Sequence, residues 1–418
     1  SIAVMPAALY FVAIALAALG REAGQALRPL PRPVVLAPLA ALLIFILFYN
    51  AVTYLYRQAN DFASWNAFSA PETITGRKMA ELGPAPLYLL SPFLANHPTT
   101  RFIAPHITNQ THLPLPDALP IRQPHDRPVT LFIHPDDDWV FEQAQDLYPN
   151  AGFEVATGRS IEGDGPPVVY MVNLQPADLA AIQGLELRYW PPQFDPLAEP
   201  LASQPTPRQS GRALTVQTVW PQDSPVEADF VAEWRGILYA PRYGPYSFRL
   251  VTPGPGRLEL DGNLVLDGQA EQLVGLPLAE GNHTLRLVAE SAPGEVAFYW
   301  QPPGRGEEVV PQWALYGPPI TNHGLLGRFY ANDRWQGQPA LQRIDPFLDS
   351  YFHFTPLNRP YTVEWVGALD VPQSGLYSLG LRAVAQAELF VAGQAVVATR
   401  TPDQYIEVPL VLEAGLHD

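Results

Sequence analysis

Residues Gly244-Pro245-Tyr246-Ser247-Phe248-Arg249-Leu250 are echoed further along the chain by Gly375-Leu376-Tyr377-Ser378-Leu379-Gly380-Leu381. In the first stretch Tyr246, Phe248 and Leu250 alternate with Ser247 and Arg249; in the second Tyr377, Leu379 and Leu381 do the same. A period of two belongs to a half-buried strand, with one face turned to a core. The match extends in both directions. Trp234-Arg235-Gly236 recurs as Trp365-Val366-Gly367 and Gly262 recurs as Gly393, at the same offset of 131 that separates Gly244 from Gly375. One offset held across several gaps points to duplicated structure.

Turn chemistry frames these strands. Pro241 and Gly244, and again Pro372 and Gly375, supply a preset φ and a residue free to take positive φ. Leu258-Glu259-Leu260-Asp261-Gly262-Asn263-Leu264-Val265-Leu266 then reads as a hairpin bent at Asp261-Gly262. Each copy is therefore expected to be a β-sandwich. The series W-x-G, P-x-x-G-x-Y and L-x-L-D-G-x-L-V-x-D, followed by Ala279-Glu280-Gly281-Asn282-His283 and Phe298-Tyr299-Trp300, resembles the PA14 module. That module is a β-sandwich often attached to carbohydrate-active and surface proteins. The second copy adds the family-like Gly324-Leu325-Leu326-Gly327-Arg328-Phe329-Tyr330 and Arg343-Ile344-Asp345.

The resemblance also bears on ligands. Some PA14 lectins hold sugar through calcium bound by adjacent aspartates just after the G-x-Y strand, and calcium takes oxygen ligands, normally including carboxylates. The matching stretches here, Thr252-Pro253-Gly254-Pro255 and Ala383-Val384-Ala385-Gln386, contain none, so neither a metal nor any other cofactor is expected. Trp234, Trp365, Tyr246 and Tyr377 are read as core aromatics rather than sugar platforms. With Gly236, Gly244, Gly262, Gly367, Gly375 and Gly393 they make up the structural repeat, and glycan-contacting residues stay unassigned. Gly415-Leu416-His417 marks the bend that Gly281-Asn282-His283 makes in the first copy. The closing strands that follow there have no counterpart before Asp418, so the second sandwich is expected to be incomplete. Truncation is the first explanation; a partner strand or self-association at the open edge is the second.

The opposite end of the chain is a different material. Residues 1–60 hold Arg21, Arg28, Arg32 and Arg57 against Glu22, whereas the whole chain, with 25 Lys and Arg against 41 Asp and Glu, is at -16. Ile2 to Leu19 and Val34 to Tyr56 are apolar runs of the length needed to cross hydrocarbon, which predicts two transmembrane helices within residues 1–60 and makes membrane lipid a partner. A signal peptide needs its positive charge before the apolar run, and here the arginines follow. The three arginines between Gly20 and Pro33 place that loop in the cytoplasm and everything after Arg57 outside it, in the cell envelope. Ser1 stands inside a hydrophobic run, which predicts a longer parent protein.

Between the ends, Leu87–Leu90, Val129–Ile133 and Val168–Val172 read as buried strands, and Trp139–Leu147 and Pro176–Ile182 as helices. Residues 61–203 are thus expected to form a small α/β domain, followed by sandwiches over 204–318 and 319–418. Asp136, Asp137 and Asp138 directly precede a helix, where carboxylates offset free amides, so they are read as caps. His97, His106, His112, His125 and His134 share one proline-rich window, but no pair has zinc-ligand spacing. Asn109-Gln110-Thr111 and Asn282-His283-Thr284 match the N-glycosylation triplet, which matters only where the machinery exists.

Composition narrows the function. An acidic chain whose single lysine is Lys78 offers no cationic surface for nucleic acid. Zero cysteines remove thiolate zinc sites and cysteine nucleophiles. No nucleophile elbow, P-loop, dinucleotide turn or zinc-protease helix is present, so no catalytic residue is assigned. Residues 1 to about 190, with Tyr88-Leu89-Leu90 and His97-Pro98-Thr99-Thr100-Arg101-Phe102, resemble the C-terminal part of polytopic lipid-phosphate-sugar-dependent glycosyltransferases, similar to protein mannosyltransferases and the aminoarabinose transferase. That resemblance implies the non-catalytic tail of such an enzyme, with outer domains that position a glycan or glycoprotein acceptor. A membrane-tethered adhesion or envelope-structural protein whose sandwiches bind glycans or neighbouring subunits is the alternative.

Overall fold

Apolar residues without interruption favour helix where no water competes for the backbone, and the chain opens on two helices, Met5–Ala26 and Arg32–Ala51, the second carrying Pro38 inside it. The structure, a computed structural model, describes residues 5–26, 32–95, 97–115, 117–122, 126–160, 163–198, 203–226, 229–268, 273–348 and 355–418. Arg28 of the first loop and His125 lie outside the described residues. Among the described residues one helical stretch, Ala40–Asn60, is long and apolar enough to cross a membrane, and none of it is buried within the protein. Two spans were expected from the sequence; one stretch meets the length and composition needed.

The middle unit is a five-stranded sheet in the order Gln110–His112, Leu87–Leu90, Val129–Ile133, Gly163–Leu174, Gly152–Ser160. Its first three strands run parallel, and Val129–Ile133 meets Gly163–Leu174 antiparallel. All five residues of Val129–Ile133 are buried, as a strand covered on both faces requires. Phe132 packs with Met79, Tyr88 and Leu90 on one side. Leu131 and Ile133 pack with Val140, Ala144 and Leu147 of the helix Asp138–Leu147 on the other. The aspartates do not cap that helix through their side chains. Asp137 at its N-terminus makes no such bond, and the turn before it is fixed instead by His134, whose Nδ1 accepts from the Asp136 amide at 3.2 Å.

The first sandwich has two sheets. One runs Asn263–Gly268, Gly256–Leu260, Gly281–Glu290, Val231–Ala240, Leu185–Trp190, Gln209–Ala213; the other runs Leu273–Leu278, Gly244–Val251, Gly294–Gln301, Glu308–Val309. Between them lie Trp234, Tyr246, Phe248, Leu258, Leu285, Phe298 and Trp300, all nearly free of solvent. The strand Leu185–Trp190 pairs antiparallel with Val231–Ala240, so the sandwich starts well before the division expected at residue 203. Within that sheet Glu233 is fully buried and receives Nε1 of Trp190 at 3.0 Å and Nη2 of Arg286 at 2.7 Å.

The two copies share small details at the same offset. Asp261 and Gly262 take φ of 49° and 72°, and Ala392 and Gly393 take 50° and 74°, the paired positive values of a tight hairpin turn. Both hairpins slip register at the equivalent point, between Leu258 and Glu259 and between Leu389 and Phe390. The copies differ in completeness. Gly244–Val251 has neighbours on both edges, Leu273–Leu278 and Gly294–Gln301, whereas Gly375–Arg382 pairs only with Tyr405–Leu412 among the described residues. Gly256–Leu260 likewise lies between two strands, while Ala387–Val391 has one. As a result Tyr377, Leu379 and Leu381 are half-buried where Tyr246, Phe248 and Leu250 are buried.

Candidate functional site

The repeat residues serve the fold. Trp234 and Tyr246 are core; the Tyr246 hydroxyl donates to the Arg242 carbonyl at 2.9 Å, and Tyr377 donates to Gln373 at 2.7 Å, the same bond in the second copy. Trp365, expected in the core like Trp234, is instead 36 % exposed, its Nε1 donating to Oδ2 of Asp345 at 2.7 Å, because the second copy has fewer strands to cover it among the described residues. A Cβ on Gly236 would collide with the Tyr316 carbonyl, and one on Gly367 with the Leu325 side chain. Gly262 and Gly393 hold the hairpin bends, and Gly244 and Gly375 begin their strands. None of these ten residues lines either of the two cavities described below.

A cavity that brings together varied polar groups lies elsewhere, where the middle unit and both sandwiches meet. It has a volume of about 160 Å³ and is lined by Asp117, Arg122, Gln143, Asn282, Thr321 and His323 among apolar Leu119, Leu147, Ile320 and Ile344. Main-chain hydrogen bonds fix its floor. The amide of Glu280 donates to the Gln342 carbonyl at 2.8 Å and the amide of Ile344 donates to the Glu280 carbonyl at 2.7 Å, joining the bend of one sandwich to a strand of the other. Gly281 follows at φ 128°, where a Cβ would stand 2.9 Å from that of Ile344, so the close approach depends on glycine.

Arg122 organises the polar side. Nη2 and Nε donate to the two Asp117 oxygens at 2.7 and 3.2 Å, and Nη1 donates to Oδ1 of Asn282 at 3.0 Å. Its guanidinium lies 3.9 Å from the centre of the Tyr239 ring, a cation–π contact strengthened by desolvation. Burial opposes the arginine's charge, but the Asp117 carboxylate and the neighbouring tyrosine oxygens outweigh it and hold the guanidinium above its ordinary pKa. Burial also pushes the Tyr316 hydroxyl up to about 12, so Tyr316 enters the site as a neutral phenol. Below the floor, burial raises the Glu280 carboxyl above its ordinary range, partly countered by Arg343.

Most of these groups are already paired. Oε1 of Gln143 at the cavity and the Tyr316 hydroxyl beside Arg122 are not: both are buried without a hydrogen-bond partner, a state that costs about 1–3 kcal/mol each. Carboxylate, guanidinium, amide, hydroxyl and imidazole groups around an apolar lining suit a neutral polyhydroxylated ligand, which offers many donors and acceptors and hydrophobic ring faces. Pockets for drug-sized molecules start at about 300 Å³, so this one fits a single small ring. A second cavity of about 130 Å³ borders Pro255, beside the stretch where related lectins place aspartates. It is spanned by a bidentate pair, with Nη2 and Nη1 of Arg257 donating to the Asp195 oxygens at 2.6 and 2.9 Å. No group of three His, Asp or Glu able to hold a metal occurs among the described residues.

Neither the partners of Arg122 nor Gln143 stood out in sequence. Arg122 and Asn282 are 160 positions apart, and only the polar bend Glu280-Gly281-Asn282-His283 was marked.

Comparison with known proteins places the sandwiches. The profile of the PA14 domain matches residues 183–312 and 321–412. No curated protein matches the chain. Among solved structures, an anti-sigma factor domain-containing protein from Clostridium clariflavum shares 18% identity over 56% of this chain and 87% of its own, with a TM-score of 0.28. A PA14 sugar-binding domain from an RTX adhesin shares 14% identity over 32% of this chain and 99% of its own, with a TM-score of 0.27. The Epithelial Adhesin 9 A domain from Candida glabrata, solved in complex with Galb1-3GlcNAc, shares 12% identity over 32% of this chain and 88% of its own, with a TM-score of 0.25.

Proposed function

We propose, from the premise that this chain belongs to the PA14 domain family through residues 183–312 and 321–412, that it is a membrane-anchored glycan-binding protein whose binding site is the cavity between its three outer units. The observation that carries this reading is the convergence of Asp117, Arg122, Gln143 and Asn282 on one small space, with Oε1 of Gln143 left for a ligand hydroxyl. The helix Ala40–Asn60 serves as the anchor, Met5–Ala26 as a second span, and the residues after about 60 face away from the cytoplasm.

Binding here needs no calcium. Thr252–Pro255 offers no carboxylate, and the neighbouring Asp195 is committed to Arg257. The test is binding of the full chain, in lipid nanodiscs, to an array of mono- and disaccharides, with and without a calcium chelator. Binding that survives chelation and is lost in Gln143→Leu supports the site. Binding that Gln143→Leu leaves intact, or that chelation abolishes, sinks it.

The wider reading is that these units form the non-catalytic outer part of a lipid-linked-sugar-dependent glycosyltransferase and position its acceptor. Remote binding contacts orient a substrate without taking part in the chemistry. It rests on the resemblance of residues 1 to about 190. In the gene, further spans and an acidic first outer loop upstream of Ser1 support transfer; a start codon directly before Ser1 contradicts it and leaves a tethered glycan binder.

A further inference from the structure

The middle unit carries exposed aromatic residues in the segment that follows the apolar helix. Phe68 is 82 % exposed, Phe102 86 % and Phe93 50 %. All three are tied to Glu72. Phe68 lies one turn before it, at the start of the helix Ala70–Leu82. Phe102 sits two residues after Thr100, whose hydroxyl donates to the Glu72 carbonyl at 3.4 Å. Phe93 stacks beside His97, with ring centres 6.2 Å apart, and Nε2 of His97 is 3.7 Å from the Glu72 carboxylate. The helix Pro98–Ile103 bearing Phe102 is pressed onto Ala70–Leu82 at Gly76, where a Cβ would stand 3.0 Å from that of Ile103.

The connection to the apolar helix is short and braced. Asn60 ends that helix, and Asp61 caps the next, Phe62–Asn66, by accepting from the Ser64 amide at 2.9 Å. Phe62 and Trp65 of that helix pack over Gly158 of the sheet, where a Cβ would collide with both rings. Phe68 follows the end of that helix by eight residues, and Phe93 and Phe102 are linked back to the same segment through the contacts of His97 and Thr100 with Glu72.

Charge sets this region apart as well. Residues 57–103 hold four Lys and Arg and three Asp and Glu, whereas residues 104–418 hold 18 and 37. An anionic lipid surface repels the second region more strongly than the first. Aromatic side chains concentrate at the level of lipid headgroups, and exposed apolar groups gathered in one place mark an interaction surface.

We infer that the face formed by Phe68, Phe93 and Phe102 rests on the bilayer, with the three rings in the headgroup region, so that the middle unit lies against the membrane instead of swinging on a tether. The inference rests on the reading of Ala40–Asn60 as a membrane anchor, and the test separates the two. The chain has no cysteine, so single labelling sites can be introduced. The full chain is placed in nanodiscs as Phe68→Cys, Phe93→Cys or Phe102→Cys, each labelled with a fluorophore. Leu264→Cys, on the exposed hairpin of the first sandwich, and Leu47→Cys, within the anchor, serve as references.

With nitroxide lipids labelled near the headgroup, the expected result is loss of fluorescence at positions 68, 93 and 102 and none at 264. If position 47 is quenched by deeply labelled lipid while 68, 93 and 102 behave like 264, the face is covered by a protein or left in water, and the docking fails alone. If 47 also escapes quenching, the anchor fails and the docking with it.

Discussion

Nη1 of Arg122 donates to Oδ1 of Asn282 at 3.0 Å, and the nitrogen of the same amide donates to the Thr321 carbonyl at 2.8 Å. One side chain on the first sandwich thus holds the middle unit with one end and the approach to the second sandwich with the other. Asn282→Ala removes both bonds and leaves part of the Arg122 fork unpaired. The expected cost is about 2 kcal/mol, seen in calorimetry as separation of transitions that overlap in the parent. Overlap retained in the variant would show that the units are joined by other means.

Glu280 supplies a pH dependence. Its folded-state pKa lies above the ordinary 4.5, with burial as the main cause, so the folded protein holds this proton more tightly than the unfolded chain. The contribution is present at low pH and lost as the pH rises from about 4.5 through the raised value. Glu280→Gln keeps the main-chain bridge and mimics the protonated side chain. Its melting temperature should exceed the parent's at neutral pH, and the gap should close on acidification. A gap that stays constant with pH contradicts the assignment.

Arg286 and Glu233 form a buried pair in which the carboxylate is completely covered and the guanidinium is 22 % exposed. Arg286→Ala strands the carboxylate with only Nε1 of Trp190 as a side-chain donor. Leaving a buried charge without its partner costs about 3–5 kcal/mol. Urea denaturation of the parent and the variant measures this; a loss below about 1 kcal/mol, typical of a surface pair, would mean that water reaches Glu233.

Equivalent strand residues should respond unequally. Phe248 is fully buried between two sheets, whereas Leu379, at the matching place in the second copy, is half-buried beside an edge with no strand among the described residues. Phe248→Ala should cost about 3–5 kcal/mol. Leu379→Ala should cost about 1 kcal/mol, since solvent already shares the site. Equal losses in denaturant titrations would show that the second copy is covered as fully as the first.

Local patterning made the strands readable. Val129–Ile133 and Leu87–Leu90 were marked by predominantly apolar runs and occur with those bounds, because a strand buried on both faces carries few polar positions to confuse its limits, Thr130 being bonded to Asn173. The hairpin at Asp261-Gly262 was set by residues that tolerate positive φ. Two readings went astray for physical reasons. Leu185–Trp190 has the alternation of a half-buried strand, but its partner Val231–Ala240 lies more than 40 residues on, so it was grouped with the unit before it. The aspartates before Asp138–Leu147 sit where caps are common, yet the His134 ring reached the free amide. The cavity was least accessible to sequence because Arg122, Gln143 and Asn282 meet only through tertiary packing, and no spacing along the chain encodes that meeting.

The two main-chain bonds at Glu280 also determine how the molecule bears force. A pull on the second sandwich reaches Gln342 and Ile344 and passes across those bonds into the strand Gly281–Glu290 and its neighbour Val231–Ala240. The connecting stretch 317–324 is tied to the same bend through the Asn282 bond to the Thr321 carbonyl. The wall of the cavity at Gly281 and Asn282 thereby lies on the path that joins the two sandwiches.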